Sequence, residues 1–392
     1  MSSAKINLKP KIAIFYPFLI GSCKGGGEKL TLDTRDYYGA DLFVGSLEES
    51  AWGQDIPTRD DFTNQLWNHK GKVISFGSES KIPLWRYLKR QLLLKFSPKI
   101  NQLVQYEAVY LSFGNISFVP QRLKKLNPKI KLIAYINTPP RGFTDQFETK
   151  LQQKVPKILQ PAVRLFQKFV IREFKAAADA CDYKIANSKN IQNRLKTYCN
   201  VEVDEVIWPA IDTQKLKYVG QKDYYLSHAR LESTKRLELI VEAFALMPDR
   251  KLVITSGGPL KDWIIQTIAE RKLVNIEFKG RVSDSERDQL MGNCIAGIYI
   301  PENEDSGMTQ VELNACAKPV IGVAEGGLLE TIFEGQNGLL LPANPKVEDL
   351  VAAVKKMTPE LAWSMKQACL SNAAKLDKKV YFDRLDKILL NK

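Results

Sequence analysis

The most informative segment of the sequence runs from Ile300 to Leu329 and reads I-P-E-N-E-D-S-G-M-T-Q-V-E-L-N-A-C-A-K-P-V-I-G-V-A-E-G-G-L-L. Two of its carboxylates are separated by seven residues. Glu304 follows the apolar run Ile295–Ile300, which predicts a buried parallel strand. Glu312 is predicted to lie two turns into the helix that follows. The pattern therefore places one acid at the tip of a strand and the other on a helix.

The residues around these acids predict the ligand-binding edge of a sheet. Asp305 or Ser306 could cap the helix, and Gly307 would let the backbone approach a ligand. The start of the helix would offer N–H groups and a positive dipole end to an anion. After a further strand at Val320–Val323, the range Glu325–Gly327 supplies a second glycine-rich loop. Open α/β sheets bind ligands at this edge, so we expect the site here.

The combined pattern resembles a known family. The spacing E-x7-E with glycine between the acids, followed by A-K-P-V-I-G and G-G-x-x-E-T, is similar to the family 4 glycosyltransferases, which are retaining enzymes of the GT-B fold. The resemblance implies an α/β protein with two Rossmann-like domains facing across a cleft. It also implies a nucleotide-diphosphate sugar as the donor. The alternative is a surface helix that carries two solvated acids.

Chain length and charge limit the choices further. A chain of 392 residues exceeds what one hydrophobic core usually supports, so two domains are expected. We predict an acceptor-side domain at residues 1–212 and a nucleotide-sugar domain at residues 213–377, with a last helix at 378–392 packing back on the first. The 57 basic against 44 acidic residues give a net charge of +13, which favours an anionic partner: a nucleotide-sugar, an anionic membrane or nucleic acid.

Metal-binding, disulfide-stabilised and membrane-spanning classes are disfavoured. The six cysteines have no C-x-x-C spacing, the chain has two histidines, and no D-x-D motif is visible. This composition fits a reducing cytoplasm and predicts no metal cofactor. No apolar run approaches the roughly 18 residues that a spanning helix needs.

A second motif, R-x4-K, opens the second domain. Arg230 and Lys235 lie at a predicted strand-to-helix turn, where two fixed cations can neutralise a diphosphate leaving group. The resemblance assigns that role to the matching pair in family 4 enzymes. Two further strands end in glycine loops, and the resemblance places Gly258 and Val282 beside the nucleotide.

Two loops of the first domain are expected to complete the site. A glycine loop follows the predicted first strand, Ile12–Tyr16, and the resemblance lays its Gly26 and Gly27 over the donor phosphates. The segment N-T-P-P-R, which starts at Asn137, resembles the H-T-P-P-R stretch of mannosyltransferase-like members. Asparagine replaces their histidine, so it can position a donor sugar but cannot titrate.

Two basic segments of the first domain predict an anionic surface partner. Lys81–Ile100 carries six basic residues and no acid, and Lys150–Lys175 carries seven against one acid, both interleaved with large apolar residues. The second segment predicts a helix broken at Pro161, with an apolar face between positive charges. This face either packs on its own domain or meets a membrane. The residues assigned to the acceptor or membrane side are Arg141, Lys89, Arg90, Lys154 and Lys157.

These patterns together predict a retaining, metal-independent hexosyltransferase. The residues assigned to catalysis are Glu304, Lys235, Arg230 and Asn137. The residues assigned to donor binding are Glu312, Gly26, Gly27, Gly258, Val282, Ser306, Gly307, Met308 and Thr309. The expected reaction moves mannose from GDP-mannose to a lipid-linked saccharide or glycolipid in cell-surface polysaccharide synthesis. The expected location is peripheral, on the cytoplasmic face of the membrane.

Two other functions stay open at this point. A UDP-sugar-dependent hexosyl or N-acetylhexosaminyl transferase would use the same residues with another donor. A catalytically silent, basic membrane-adaptor or nucleic-acid-binding protein could keep the fold as a scaffold, because a fold does not fix a function. The clustering of acids and cations at predicted loop edges favours the enzyme, for which no nucleic acid partner is expected.

Overall fold

A computed structural model describes residues 11–17, 19–20, 25–45, 47–48, 71–77, 92–113 and 118–390. Lys89, Arg90 and most of the predicted basic segment 81–100 lie outside these residues. The chain divides into two compact units, Met1–Ile207 with Asp383–Lys392, and Trp208–Phe382. The predicted boundary followed Asp212, whereas this division falls after Ile207. No helix among the described residues is long and apolar enough to cross a membrane.

The first unit is organised around a parallel sheet. Its strands are β1 (Ile12–Tyr16), β2 (Leu19–Ile20), β3 (Asp41–Val44), β4 (Leu47–Glu48), β5 (Val73–Ser75), β6 (Ala108–Phe113), β7 (Lys131–Ile136), β8 (Tyr183–Ala186) and β9 (Glu205–Val206). Among the described residues, seven of them lie in the order β5-β3-β1-β6-β7-β8-β9, and β2 pairs with β4. All five residues of β1 are buried, as expected of a parallel strand covered on both faces.

Helices follow the strands of the first unit, as a parallel sheet requires. They are α1 (Gly26–Tyr38), α2 (Val119–Leu126), α3 (Phe147–Lys154), α4 (Gln160–Asp179) and α5 (Lys189–Arg194), and residues 92–96 are also helical. The predicted break at Pro161 was wrong. The helix breaks earlier, at Val155 and Pro156, and Pro161 lies in the first turn of α4, where a missing N–H costs nothing.

The second unit repeats this architecture. Its strands are β10 (Tyr225–His228), β11 (Leu252–Thr255), β12 (Ile276–Gly280), β13 (Gly297–Ile298), β14 (Val320–Val323) and β15 (Gly338–Leu341). Within the described range 208–382 they form a six-stranded parallel sheet in the order β12-β11-β10-β13-β14-β15. Its core is rich in buried Leu, Ile and Val from the strands and from the helices packed on them. The predicted run Ile295–Ile300 is buried, but only Gly297–Ile298 forms β13.

The helices of the second unit connect these strands and continue into the end of the chain. They are α6 (Leu237–Ala245), α7 (Lys261–Glu270), α8 (Asp284–Asn293), α9 (Thr309–Ala315), α10 (Val347–Lys356), α11 (Pro359–Ser364), α12 (Lys366–Ala374) and α13 (Lys378–Leu390). From Asp383 onward α13 belongs to the first unit. There Asp386 accepts hydrogen bonds from the hydroxyls of Tyr37 and Tyr38, at 2.8 and 2.7 Å. These bonds attach the end of the chain to α1.

Candidate active site

The centre of the candidate site is an ion pair between Lys235 and Glu304. Lys235 ends the helical turn Ser233–Lys235 after β10, and Glu304 lies on the loop after β13. The Lys235 Nζ donates to the Glu304 carboxylate at 2.5 Å, and both side chains are less than one-fifth exposed. The structure therefore brings together two residues that are 69 positions apart in the chain.

Tyr299 completes this pair, and the sequence analysis did not single it out. Its side chain is 5% exposed, because it belongs to the buried run that leads into the loop. The Lys235 Nζ lies 3.4 Å from the Tyr299 hydroxyl and 5.4 Å from the ring centroid. Burial acts to lower the pKa of Lys235, but the contacts with Tyr299 and Glu304 outweigh it and raise that pKa. The ammonium is therefore charged at any physiological pH.

A second ion pair fixes the loop that carries Glu304. Arg236 has a positive φ of 52°, and its guanidinium donates to the Ile300 carbonyl at 3.0 Å and to the Glu325 carboxylate at 2.7 Å. Glu325 also accepts from the backbone N–H groups of Asn303 and Asn344, at 3.0 and 2.8 Å. Burial would raise the pKa of Glu325, but these donors together lower it. Arg236 and Glu325 thus join the ends of β13 and β14.

The loop Glu325–Gly327 approaches the loop that carries Glu304 so closely that side chains at Gly326 and Gly327 would not fit. A Cβ on Gly326, which has φ of +56°, would lie 2.4 Å from the carbonyl oxygen of Glu304. The N–H of Gly327 donates to the same oxygen at 2.8 Å. Both glycines therefore hold the backbone of Glu304 in place.

The residues between the acids form a tight turn. Gly307 has φ of +74°, and a Cβ there would lie 2.5 Å from the buried side-chain amide of Gln310. That amide donates to the Ser306 carbonyl at 2.9 Å. Met308 precedes α9, whose first residue is Thr309. These predicted donor-binding residues therefore lie on one turn beside Glu304.

The prediction for the helix start was wrong in its details. Neither Asp305 nor Ser306 caps α9, because the positive φ at Gly307 turns the chain first and the helix begins at Thr309. Glu312 therefore lies in the first turn of α9 and not two turns into it. It is 8% exposed, which agrees with a carboxylate directed into the domain and not with a solvated acid.

Glu312 lies close to a buried histidine that the sequence analysis did not select. His228, the last residue of β10, shares a hydrogen bond of 2.8 Å between its Nδ1 and the Thr255 hydroxyl. Burial lowers the pKa of His228 to about 4, although the charge of Glu312 acts against this. Burial also acts to lower the pKa of Arg287, but nearby negative charges raise it, and Glu312 contributes the most among them. Glu312 thus has a neutral imidazole and a guanidinium near it.

Arg230 lies on the loop that links β10 to Lys235. Its side chain is half exposed and pairs with Glu232 at 3.0 Å. The neighbouring Leu231 receives a close backbone contact from Gly258, whose φ is +156° and whose added Cβ would lie 2.6 Å from the Leu231 carbonyl. Val282 follows β12 and is half-buried. The predicted donor loops therefore lie at the carboxyl ends of β10, β11 and β12.

In the first unit, Asn137 is fixed by its neighbours on the sheet edge. Its side-chain amide donates to the Ser112 hydroxyl at 3.0 Å, and its carbonyl accepts from the Asn187 amide at 2.9 Å. A Cβ on Gly27 would lie 3.8 Å from the Asn137 amide nitrogen, and Gly26 is the first residue of α1. The three predicted residues Gly26, Gly27 and Asn137 are therefore close together.

The remaining predicted residues of the first unit follow β7 in the chain. Arg141 opens a helical turn after β7, whereas Lys154 ends α3 and Lys157 follows it, both with exposed side chains. No cluster of three or more His, Cys, Asp or Glu side chains suited to a metal ion occurs in the part of the chain that the structure describes.

Two parallel-sheet units of this kind define the class of the protein. The structure is similar to that of Anabaena HepE, solved in complex with UDP and glucose, with a TM-score of 0.72 and 17% sequence identity. The likeness covers 98% of this chain and 100% of that one. It confirms the predicted α/β fold of the GT-B class.

A family model matches the second unit. Residues 210–375 match the family model described as glycosyl transferases group 1. For this unit, the match confirms the resemblance found in the sequence.

Relatives of known name are similar over part of the chain. The uncharacterized glycosyltransferase MJ1178 of Methanocaldococcus jannaschii is 30% identical over 171 residues, which are 44% of this chain and 48% of that protein. The alpha-1,3/1,6-mannosyltransferase ALG2 of Dictyostelium discoideum is 29% identical over 164 residues, or 36% of this chain and 38% of that protein. The chain spans less than half the length of either relative.

Proposed function

We propose that the protein is a retaining glycosyltransferase that takes a hexose from a nucleotide-diphosphate sugar. The observation that carries the proposal is the pair of Lys235 and Glu304, held against Tyr299 on the loops of a group 1 domain. A scaffold has no reason to bury a lysine and a carboxylate at the ligand edge of a sheet, since burying charges is costly.

Each charged residue has a role in the proposed reaction. The bond between the sugar C1 and the phosphate oxygen breaks while the acceptor oxygen bonds to C1 on the same face, and the acceptor proton passes to the leaving phosphate. Lys235 and Arg230 would stabilise the negative charge that develops on the diphosphate. Glu304 would hold the sugar hydroxyls and Glu312 the ribose hydroxyls. Asn137 would position the sugar without titrating.

The leading donor is GDP-mannose, and a UDP-sugar is the alternative. The mannosyltransferase name of the Dictyostelium relative supports the first, and the UDP and glucose bound to Anabaena HepE support the second. Both relationships are distant.

A thermal-shift screen tests donor binding. The melting temperature is expected to rise with one class among UDP-, GDP- and ADP-sugars, because a ligand that binds only the folded state stabilises it. Glu312→Gln should reduce that rise, while Glu348→Gln, at an exposed position of α10, should not. A chain that responds to none of the three donors would contradict the proposal and favour the silent adaptor.

Transfer is expected to survive EDTA and to retain the anomeric configuration. The sequence supplies protein cations, Arg230 and Lys235, where a D-x-D motif would otherwise recruit a divalent ion. NMR of the freshly formed product would show the configuration, and a manganese titration after EDTA would show any metal requirement. An inverted product, or activity only with manganese, would refute this part of the proposal.

The proposed acceptor is a lipid-linked saccharide or glycolipid at the cytoplasmic face of a membrane, in cell-surface polysaccharide synthesis. The basic, apolar segment 150–175 supports it, since each lysine or arginine near an anionic leaflet contributes about 1 kcal/mol. Lys154 and Lys157 would lie on this side. No nucleic acid partner is proposed.

A further inference from the structure

The first unit has an exposed apolar surface that its own core does not use. We name it the α4 strip, and it consists of Ile158, Leu159, Leu165, Phe166 and Phe169. These side chains are 86%, 52%, 71%, 41% and 42% exposed. The second half of α4 behaves differently, because Val170 and Phe174 are buried. Large apolar side chains left exposed together on one short segment are typical of an interaction site.

The strip is continuous with the loop after β7. The rings of Phe143 and Phe166 lie 5.7 Å apart edge to face, and Phe166 stacks on Phe169 at 6.3 Å. The Gln167 amide donates to the Phe143 carbonyl at 2.9 Å. Phe143 thus links α4 to the turn Arg141–Phe143, which contains Arg141, a residue that the sequence assigned to the acceptor or membrane side.

Basic residues cluster near Phe143, at one end of the α4 strip. Arg141 and Arg194 both form ion pairs with Asp145, at 3.1 and 2.8 Å. Two guanidinium groups therefore share one carboxylate. The Lys150 Nζ lies 3.8 Å from the position of a Cβ on Gly142. No ion pair joins Lys150 to an acid among the described residues. Burial, then the charges of Lys154 and Arg141, lower the pKa of Lys150. The cluster therefore has more positive than negative charge.

We infer that this surface binds an anionic lipid in a membrane, with the charged head group at Arg141 and Lys150 and the hydrocarbon along the α4 strip. The inference rests on the proposed function, because it places an anionic membrane lipid on the proposed acceptor side. The head group would lie on the loop that begins at Asn137.

Positive charge beside an exposed apolar surface favours an anionic membrane lipid over other partners. A free phosphate would need the cations but not the five exposed apolar side chains. A neutral apolar partner would need the strip but not the cations around it. Lys168 and Arg172 are exposed on the same helix, and the Arg172 guanidinium lies 5.6 Å from the Phe169 ring centroid. Basic residues beside aromatic ones on a helix face are typical of contact with an anionic membrane surface.

Sedimentation of the full chain with vesicles tests the inference. Wild type should bind phosphatidylcholine vesicles that contain phosphatidylglycerol more strongly than pure phosphatidylcholine, and added salt should weaken the difference. The variant Leu165→Gln/Phe166→Gln/Phe169→Gln should lose binding at least roughly tenfold, since burial of even one such side chain corresponds to about that factor. Lys150→Gln should reduce the preference for anionic vesicles while keeping the melting temperature.

A matched control changes exposed apolar residues of the second unit. Val274 and Leu246 are 95% and 64% exposed, so Val274→Gln/Leu246→Gln should leave vesicle binding unchanged. Equal binding to both vesicle types, or full binding by the triple variant, would overturn the inference. Stabilisation by inorganic phosphate without vesicle binding would indicate a soluble anion and would also overturn it.

The donor screen separates this inference from the proposed function. If nucleotide-sugars stabilise the protein but vesicles do not bind, the lipid site is wrong and the transferase stands. If vesicles bind but no nucleotide-sugar does, the transferase is wrong and the membrane surface stands.

Discussion

Replacing Lys235 with alanine is expected to reduce transfer by roughly 10² to 10³, the usual loss when a preorganised group that stabilises transition-state charge is removed. The Lys235 ammonium is held by Glu304 and Tyr299, so it needs little reorganisation when charge develops on the leaving diphosphate. Glu304→Ala is expected to cause a similar loss, because it removes both the proposed contact to the sugar hydroxyls and the ion-pair partner of Lys235.

The measurement is the initial rate of transfer, with the melting temperature recorded for each variant. Either single change removes the ion-pair partner of a buried charge, which is destabilising. The double variant Lys235→Ala/Glu304→Ala removes both charges, so it should regain stability without regaining activity. The exposed pair Arg271 and Glu242 is the matched control, and Arg271→Ala should change neither quantity appreciably. Near-normal turnover in Lys235→Ala and in Glu304→Ala would refute the assignment.

The sequence could predict the fold because its strands are continuous apolar runs that end in glycine or polar loops. The ranges Ile12–Tyr16 and Val320–Val323 were predicted with the bounds that the structure has. Such strands are buried on both faces, so their pattern depends little on which neighbours they have. The strand order is decided by contacts between residues far apart in the chain, and local periodicity does not contain that information.

The charged members of the candidate site could be predicted, but the residues that hold them could not. Glu304 belongs to the E-x7-E motif and Lys235 to the R-x4-K motif. Tyr299 belongs to neither, because in the sequence it is only a further apolar residue of a predicted strand. Arg236 follows Lys235 directly, but it is not part of the R-x4-K motif. Its contact with Glu325 depends on a positive φ, and no pattern of residue types predicts that conformation for arginine.

The exposure of the basic segments could not be predicted from the sequence. Periodicity placed an apolar face on Lys150–Lys175, but it could not decide whether that face packs on the domain or is exposed. The structure shows both outcomes on one helix, since Phe174 is buried and Phe169 is exposed. The other segment, 81–100, lies largely outside the described residues, and its role stays a prediction.

Replacing Arg236 with alanine is expected to destabilise the second unit by about 3 kcal/mol, at the lower end of the range for breaking a buried ion pair. Arg236 and Glu325 are 11% and 14% exposed, so solvent screens them little. The lower end is expected because Glu325 keeps two backbone N–H donors, from Asn303 and Asn344. Activity should fall as well, because the loop that positions Glu304 loses the link that Arg236 makes between the Ile300 carbonyl and Glu325.

Two comparisons separate the ion pair from backbone strain. Arg236→Gly removes the same pair but relieves the positive φ, so it should cost roughly 1 kcal/mol less than Arg236→Ala. Lys356→Ala removes a cation from an exposed pair with Glu334 and should cost less than about 1 kcal/mol. Urea unfolding would give each free energy. If Arg236→Ala matches wild type in both stability and turnover, the Arg236–Glu325 pair does not fix the loop that positions Glu304.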